Sequence, residues 1–288
     1  MEKSKVYSYD YDDYEEGDKG ADTMVADILA DSELPELDEI VIGDWGDAWE
    51  DSVNQIIDAI VENKEKFSHI KSLFIGDMDF EQCEVSWIIQ GDYTKLWDAM
   101  PQLEHLTIKG STDLVLSEGQ IKHDNLKSLT IICGGLPKDV IESIRDAKLP
   151  NLEKLMLYIG VEDYGFDGTI EDIKELLEKS DFPKLTYLGL TDSEIQDEVA
   201  QAVVDSKYKE KLEVLDLSMG SLTDKGVDIL CQHIDEFKAL KHLDAHYHFI
   251  SGEGMKKLQA LSISVDVEDP QEEDEWNGQV YRYPMLTE

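Results

Sequence analysis

The spacing of one short pattern constrains this chain more than anything else in it. Leu212-Glu-Val-Leu-Asp-Leu217 reads Leu-x-x-Leu-x-Leu. With Ile allowed, the same hexad starts at Leu37, Ile70, Leu103, Leu126, Leu152, Leu185, Leu212 and Leu240, at intervals of 33, 33, 23, 26, 33, 27 and 28 residues. Positions 4 and 6 alternate with variable residues, which is the period of a strand with one face turned inward. The last unit carries Leu243 and Ala245 there. A weaker ninth copy reads Leu258-x-x-Leu261-x-Ile263.

Between the hexads the apolar spacing becomes helical. Val53, Ile56, Ile57, Ile60 and Val61 form one stripe, and Val140, Ile141 and Ile144 another. Ile173, Leu176 and Leu177 follow, then Val199, Ala202 and Val203, then Val227, Leu230 and Ile234 behind a Thr223-Asp224 helix start. Each unit has an apolar strand face and an apolar helix stripe, and it cannot bury both alone. Stacking on its neighbours buries them. The expected fold is α/β: a leucine-rich-repeat solenoid of eight to nine units. A curved parallel sheet takes the concave side and the helices take the convex side. Residues 1–36 are expected to be an acidic segment and cap, with a strand in 6–11 and a helix over 22–30. Residues 37–264 are the array. Residues 265–288 are an acidic cap in which 265–267 forms the last edge strand and "QVYRYPMLTE" folds back.

The units resemble the ribonuclease-inhibitor-like class of leucine-rich repeats, with "LTDKGVDIL" and "EIQDEVAQAV" as strand-to-helix turns. The loops "IGDWGDAWEDS", "FIGDMDFEQCEVSWI", "CGGLP", "YIGVEDYG" and "YLGLTDSEIQDE" resemble those of a bacterial leucine-rich-repeat family of unassigned activity. That resemblance implies a cytoplasmic bacterial solenoid and carries over no catalytic residue. One departure stands out. Many such repeats have Asn at position nine to satisfy turn backbone groups. This chain has Trp45, Met78, Ser111, Gly134, Gly160, Ser193, Gly220 and His248 there, so an irregular strand-to-helix edge is expected.

Charge narrows the partners. With 26 basic against 65 acidic residues the formal charge is −39. That argues against nucleic acid and against anionic membrane surfaces, favours solubility, and permits a basic protein partner or bound cations. Cys83, Cys133 and Cys231 are odd in number and widely spaced. They read as buried thiols in a reducing compartment. No window is long and apolar enough for a membrane span, and cytoplasmic placement is expected.

Positions 3, 5 and 7 of each unit should face the concave surface. They supply Phe74, Ile132, Met156, Tyr158 and Tyr187 as apolar and aromatic anchors for a protein partner, with Asp216 and Asp244 as charged contacts. Strand alternation would put His242, Asp244, His246 and His248 on one face. Those four are the residues that could bind zinc, although strand geometry spaces them too widely for one ion to use all four. A third candidate is the Gly-Asp edge: Gly43 to Asp47, Gly76 to Asp79, Gly134-Gly135, and Thr191-Asp192. It reads as turn chemistry, and Trp45, Trp49 and Trp87 beside it read as packing. No nucleotide-binding loop, nucleophile elbow or Ser-His-Asp grouping appears. Cys83 sits among acids, which would raise its pKa. The expected function is non-enzymatic protein binding through the concave face, with no cofactor. The rivals are a metal-dependent binder or enzyme on the histidine strand, and a structural subunit of a larger assembly.

Overall fold

Leucine and isoleucine at positions 4 and 6 set the register of the sheet. The computed structural model describes residues 3–286. Ten parallel strands lie in one sheet in strict chain order. They are β1 (Ser4–Tyr7), β2 (Glu39–Ile42), β3 (Ser72–Ile75), β4 (His105–Lys109), β5 (Ser128–Ile132), β6 (Lys154–Gly160), β7 (Tyr187–Ser193), β8 (Val214–Asp216), β9 (His242–Asp244) and β10 (Ser264–Asp266). Position 4 forms one row through β2–β9: Ile40, Leu73, Leu106, Leu129, Leu155, Leu188, Leu215 and Leu243. Every member is at most 1% exposed. Burial of each such side chain contributes about 1.5–3 kcal/mol. The chain is a leucine-rich-repeat solenoid.

The helical stripes become α3 (Asn54–Glu62), α6 (Lys138–Arg145), α7 (Ile170–Lys179), α8 (Gln196–Asp205) and α9 (Asp224–His233), which follow α1 (Tyr11–Glu15) and α2 (Ala21–Ala30) in the same layer. Short helices α4 (Lys64–Phe67) and α5 (Leu96–Ala99) fill the second and third repeats, and α10 (Gly252–Gln259) ends the series. Neighbours pack in order, α6 on α7, α7 on α8, α8 on α9 and α9 on α10. Thr223 caps α9 by accepting from the Lys225 N–H at 3.2 Å. The unit that begins at Leu103 has no helix before β5. Its 23 residues cover the strand and two turns but leave too little chain for a helix, so a helix does not occur in every repeat.

Two sequence expectations shift. The ninth copy is not where the pattern placed it. Leu258 lies in α10 and is fully buried there. The true strand pairs Ser264, Val265 and Asp266 with His242, Leu243 and Asp244. At the other end β1 pairs with β2 and places Lys5, not Leu, in the position-4 row. Lys5 sits 2.5 Å from Asp31 and 3.3 Å from Glu33. A charge at that inward position blunts the edge strand against further pairing.

After β10 the chain forms an antiparallel hairpin, β11 (Asp274–Trp276) and β12 (Gln279–Tyr281). Asn277 and Gly278 both take positive φ, 53° and 77°, as a two-residue Asn-Gly hairpin turn requires. The segment beyond it returns to the sheet. Met285 N–H donates to Met219 O at 2.8 Å. Leu286 N–H donates to Asp192 Oδ1 at 2.8 Å, and Tyr247 O–H donates to Tyr283 O at 3.2 Å. This strap crosses the carboxyl ends of β7, β8 and β9.

Candidate functional site

Positions 4 and 6 are buried, so positions 3, 5 and 7 face the other way. The sheet register lines up Phe74, Thr107, Thr130, Met156, Gly189, Asp216, Asp244 and Asp266 as one row at position 5. The row is apolar at β3, turns polar, and ends in three consecutive aspartates. Phe74, Ile132, Met156, Tyr158 and Tyr187 are all half-buried on this face.

Gly189 leaves a gap in that row, and its neighbours use it. A Cβ there would stand 3.1 Å from Met156 Cγ and 3.5 Å from Asp216 Cβ. Tyr187 O–H reaches Asp216 Oδ2 at 2.9 Å. Lys154 Nζ lies 4.5 Å from the centroid of the Tyr187 ring, a cation–π contact. Burial, then the charge of Asp216, raises the pKa of both Tyr187 and Tyr158, the latter to about 12. Both phenols therefore stay neutral donors at ordinary pH. The Tyr187 ring is held in place by Asp216 and Lys154 before any partner arrives, which lowers the entropic cost of docking.

The aspartates share a local device. Asp216 Oδ1 accepts from Ser218 N–H at 3.1 Å and Ser218 O–H at 2.6 Å. Asp244 Oδ1 accepts from His246 N–H at 3.0 Å, and Asp266 Oδ1 from Glu268 N–H at 2.9 Å. Each carboxylate closes a turn on its own backbone, and each ends its strand after three residues. Asp216 was expected to be a charged contact for a partner, but it is 3% exposed. Its Oδ1 is taken by Ser218 and its Oδ2 by Tyr187, because Tyr187 folds over it across Gly189. Asp244 and Asp266 are the two of the three that stay half-exposed. Strands are ~4.8 Å apart.

The four residues of the histidine strand do not share a face. β9 stops at Asp244, and Tyr247 takes a left-handed φ of 51°. That turn sends His248 into the core, where it is fully buried. Its Nδ1 accepts from Ile250 N–H at 2.9 Å, and its Nε2 therefore donates to Val267 O, 3.1 Å away. Both ring nitrogens are engaged, and burial lowers its pKa. His248 does the work of the absent Asn. His242 Nδ1 lies 3.1 Å from Ser264 Oγ. His246 Nδ1 lies 2.8 Å from Asp244 Oδ1. Burial pulls the His246 pKa down, but the Asp244 hydrogen bond and the charges of Asp244, Asp216 and Asp266 outweigh it, and the net shift is upward. Among the described residues no group of three or more His, Cys, Asp or Glu is arranged to hold a metal ion.

The carboxyl edge is built by side chains from outside the hexads. Gln196 donates to Leu190 O at 2.7 Å and accepts from Ser193 N–H at 3.2 Å. Gln90 donates to Lys109 O at 2.7 Å. Asp44, 2% exposed, accepts from Gly46 N–H at 2.9 Å. Trp45 is fully buried and Trp49 half-buried, as packing would have it, but Trp87 is 59% exposed. Burial first, then Asp44 and Glu84, pushes the Cys83 thiol up to about 11. Asp192 is the residue that sequence reasoning left as a turn aspartate. It is fully buried. Its Oδ2 and the Thr191 hydroxyl have no hydrogen-bond partner among the described residues. Burial raises its pKa to about 8, against the pull of the Leu286 and Met285 N–H groups.

No protein-family model and no curated protein matches the sequence. Among solved structures, the crystal structure of a Bacteroides fragilis protein shares 47% identity over 93% of this chain and 75% of its own, with a TM-score of 0.86. The chain belongs to that protein's family. An internalin from Listeria monocytogenes follows at 14% identity, covering 84% of this chain and 63% of its own, TM-score 0.35. A leucine-rich-repeat protein from Leptospira interrogans stands at 13% identity, 83% and 50% coverage, TM-score 0.32. Among the described residues no helix is long and apolar enough to cross a membrane.

Proposed function

We propose that this chain is a non-enzymatic interaction module that binds a protein partner across the concave face. The observation that carries the reading is the row structure of that face. Aromatic and aliphatic side chains, Phe74, Ile132, Met156, Tyr158 and Tyr187, stand half-buried on the face that also carries the half-exposed aspartates Asp244 and Asp266. A partner would bury the anchors for affinity, and its basic groups would meet the aspartates for steering and register. The partner is a protein with a basic, partly apolar surface, and the site requires no cofactor. Cytoplasmic placement fits the three free thiols.

The test is a captured partner measured against Tyr158→Ala combined with Tyr187→Ala. Affinity should fall by at least about tenfold, as loss of two central aromatic anchors implies, while circular dichroism and thermal unfolding keep their shape. Unchanged affinity rejects the concave face as the binding surface.

A further inference from the structure

A second cluster of aromatic residues lies away from the concave anchors, on the loops that follow β2 and β3. Trp49, Phe80 and Trp87 line a cavity of about 310 Å³ together with Gln82, Cys83 and Glu84. Phe80 is 77% exposed and Trp87 59%. Grouped around one cavity, these rings form a contiguous apolar patch of the kind that marks an interaction site.

The loop holds them out rather than letting them collapse. Asp79 Oδ1 accepts from Glu81 N–H and Gln82 N–H, each at 3.0 Å, and Gln82 Oε1 accepts from Asp79 N–H at 3.0 Å. Cys83 N–H adds a bond to Asp79 O at 3.0 Å. Phe80 sits at the tip of this closed turn. Trp87 ends a single 3₁₀ turn that the buried Val85 pins to the core. Trp49 forms the inner wall. Tyr14 meets its indole edge-on at 5.8 Å, and Tyr11 meets Tyr14 at 5.6 Å.

The electrostatics favour one class of occupant. Glu84 is half-exposed in the lining and has no ion pair with another described residue. Asp77, Asp79 and Glu81 stand exposed on the same loop. Lys109, a cation close to Cys83, turns its Nζ inward onto Met78 O. Aromatic faces attract cations, and a carboxylate at the rim adds a fork-shaped acceptor. A planar guanidinium can stack on an indole and pair with a carboxylate at once, which an ammonium cannot do as well. We propose that Trp49, Phe80, Trp87 and Glu84 form a pocket for an arginine side chain presented by a protein partner.

The test uses the full chain and follows the indole N–H signals of Trp49 and Trp87 by ¹H–¹⁵N NMR. The probe is N-acetyl-arginine methylamide, with the N-acetyl-leucine analogue and matched sodium chloride as controls. Saturable shifts of both indoles by the arginine probe alone are expected. Trp87→Ala and Phe80→Ala should each weaken binding about two- to fivefold, the worth of one exposed cation–π contact. Glu84→Gln should weaken the arginine probe by a similar ratio. Both aromatic positions are exposed, so these variants keep the fold, which unchanged signals of the buried Trp45 and Trp97 would verify. Linear, unsaturable shifts overturn the proposal. Equal binding of the leucine analogue overturns it too, because the pocket would then be merely apolar. So does an affinity indifferent to both aromatic replacements. Tyr158→Ala with Tyr187→Ala should leave this binding intact, so the pocket stands or falls separately from the concave face.

Discussion

Ionisation of Asp192 should pry the C-terminal strap off the sheet. Its carboxyl is fully buried, and its pKa is raised from 3.8 to about 8. Below pH 3.8 the carboxyl is protonated in the folded and the unfolded chain, and its contribution to stability is fully present. Between pH 3.8 and about 8 the unfolded chain has released the proton while the folded chain still holds it. Stability therefore falls as pH rises, by up to about 1.4 kcal/mol per pH unit, or roughly 5–6 kcal/mol over the window. Among the described residues the strap is fixed to the edge by hydrogen bonds from Leu286 N–H, Met285 N–H and Tyr247 O–H. Each is worth about 0.5–1.5 kcal/mol net. The cheaper response is local: the strap detaches and water reaches the carboxylate before the solenoid unfolds.

Amide hydrogen exchange at Met285 and Leu286, corrected for intrinsic base catalysis, is the assay. Protection should drop steeply from pH 5 to pH 8, as the rise of the Asp192 pKa to about 8 requires. Asp192→Asn keeps the acceptor for Leu286 N–H and removes the charge, so protection should become flat across the same range. Other groups face this carboxyl. Tyr158, Tyr247 and Cys133 all feel its charge, but all three titrate upward of their ordinary values. The His246 pKa is also raised, from its ordinary 6.5. Its raised pKa means that its stabilisation is lost as pH rises through that value. Asp192→Asn leaves that contribution in place, so the difference between the two proteins isolates Asp192. A variant that loses strap protection with the same pH slope as the parent would refute the reasoning. Thr191 pairs with Tyr158 across the sheet, so the same opening would uncover the carboxyl end of the proposed binding face.

Three further changes probe the frame. Gly160 takes φ 73°, and a Cβ there would stand 1.8 Å from Gly134 O. Gly160→Ala should cost about 3 kcal/mol from the left-handed backbone and the overlap together, seen as a lower urea midpoint at constant slope. His248→Ala strips partners from Ile250 N–H and Val267 O in the core and should cost about 3 kcal/mol. His242→Ala, at a half-exposed site, should stay within about 0.5 kcal/mol. His248 has a folded pKa below 6.5, so the unfolded chain takes up the proton first as pH falls. The stability that His248 contributes should decline below pH 6.5; His248→Ala removes that share, while His123, also held low by burial, keeps its own.

The hexads could be read directly because their partners are copies of themselves. Leu215 packs beside Leu188 and Leu243, which hold the same position in the neighbouring units, so one local pattern predicts a long-range contact. The pattern failed where its spacing is ambiguous. Leu258 and Leu261 are three apart, which suits a helix stripe as well as a hexad, and Leu258 lies in α10. It also failed where a requirement can be met by several residue types. Turn backbone groups need a partner, and His248, Gln90 and Gln196 supply it from different places. A search for Asn at position nine cannot find them. The carboxyl edge is harder still, because its contacts are not repeated. Asp192 is covered by Leu286, 94 residues onward, and nothing near Asp192 distinguishes it from the many solvated acids of this chain. The same logic assigns weight to Phe80 and Trp87. An inward Leu is explained by the stack that needs it, whereas these two aromatics stand open on a turn that is locked without them. Their exposure is not a requirement of the solenoid, and it therefore points to something outside the chain.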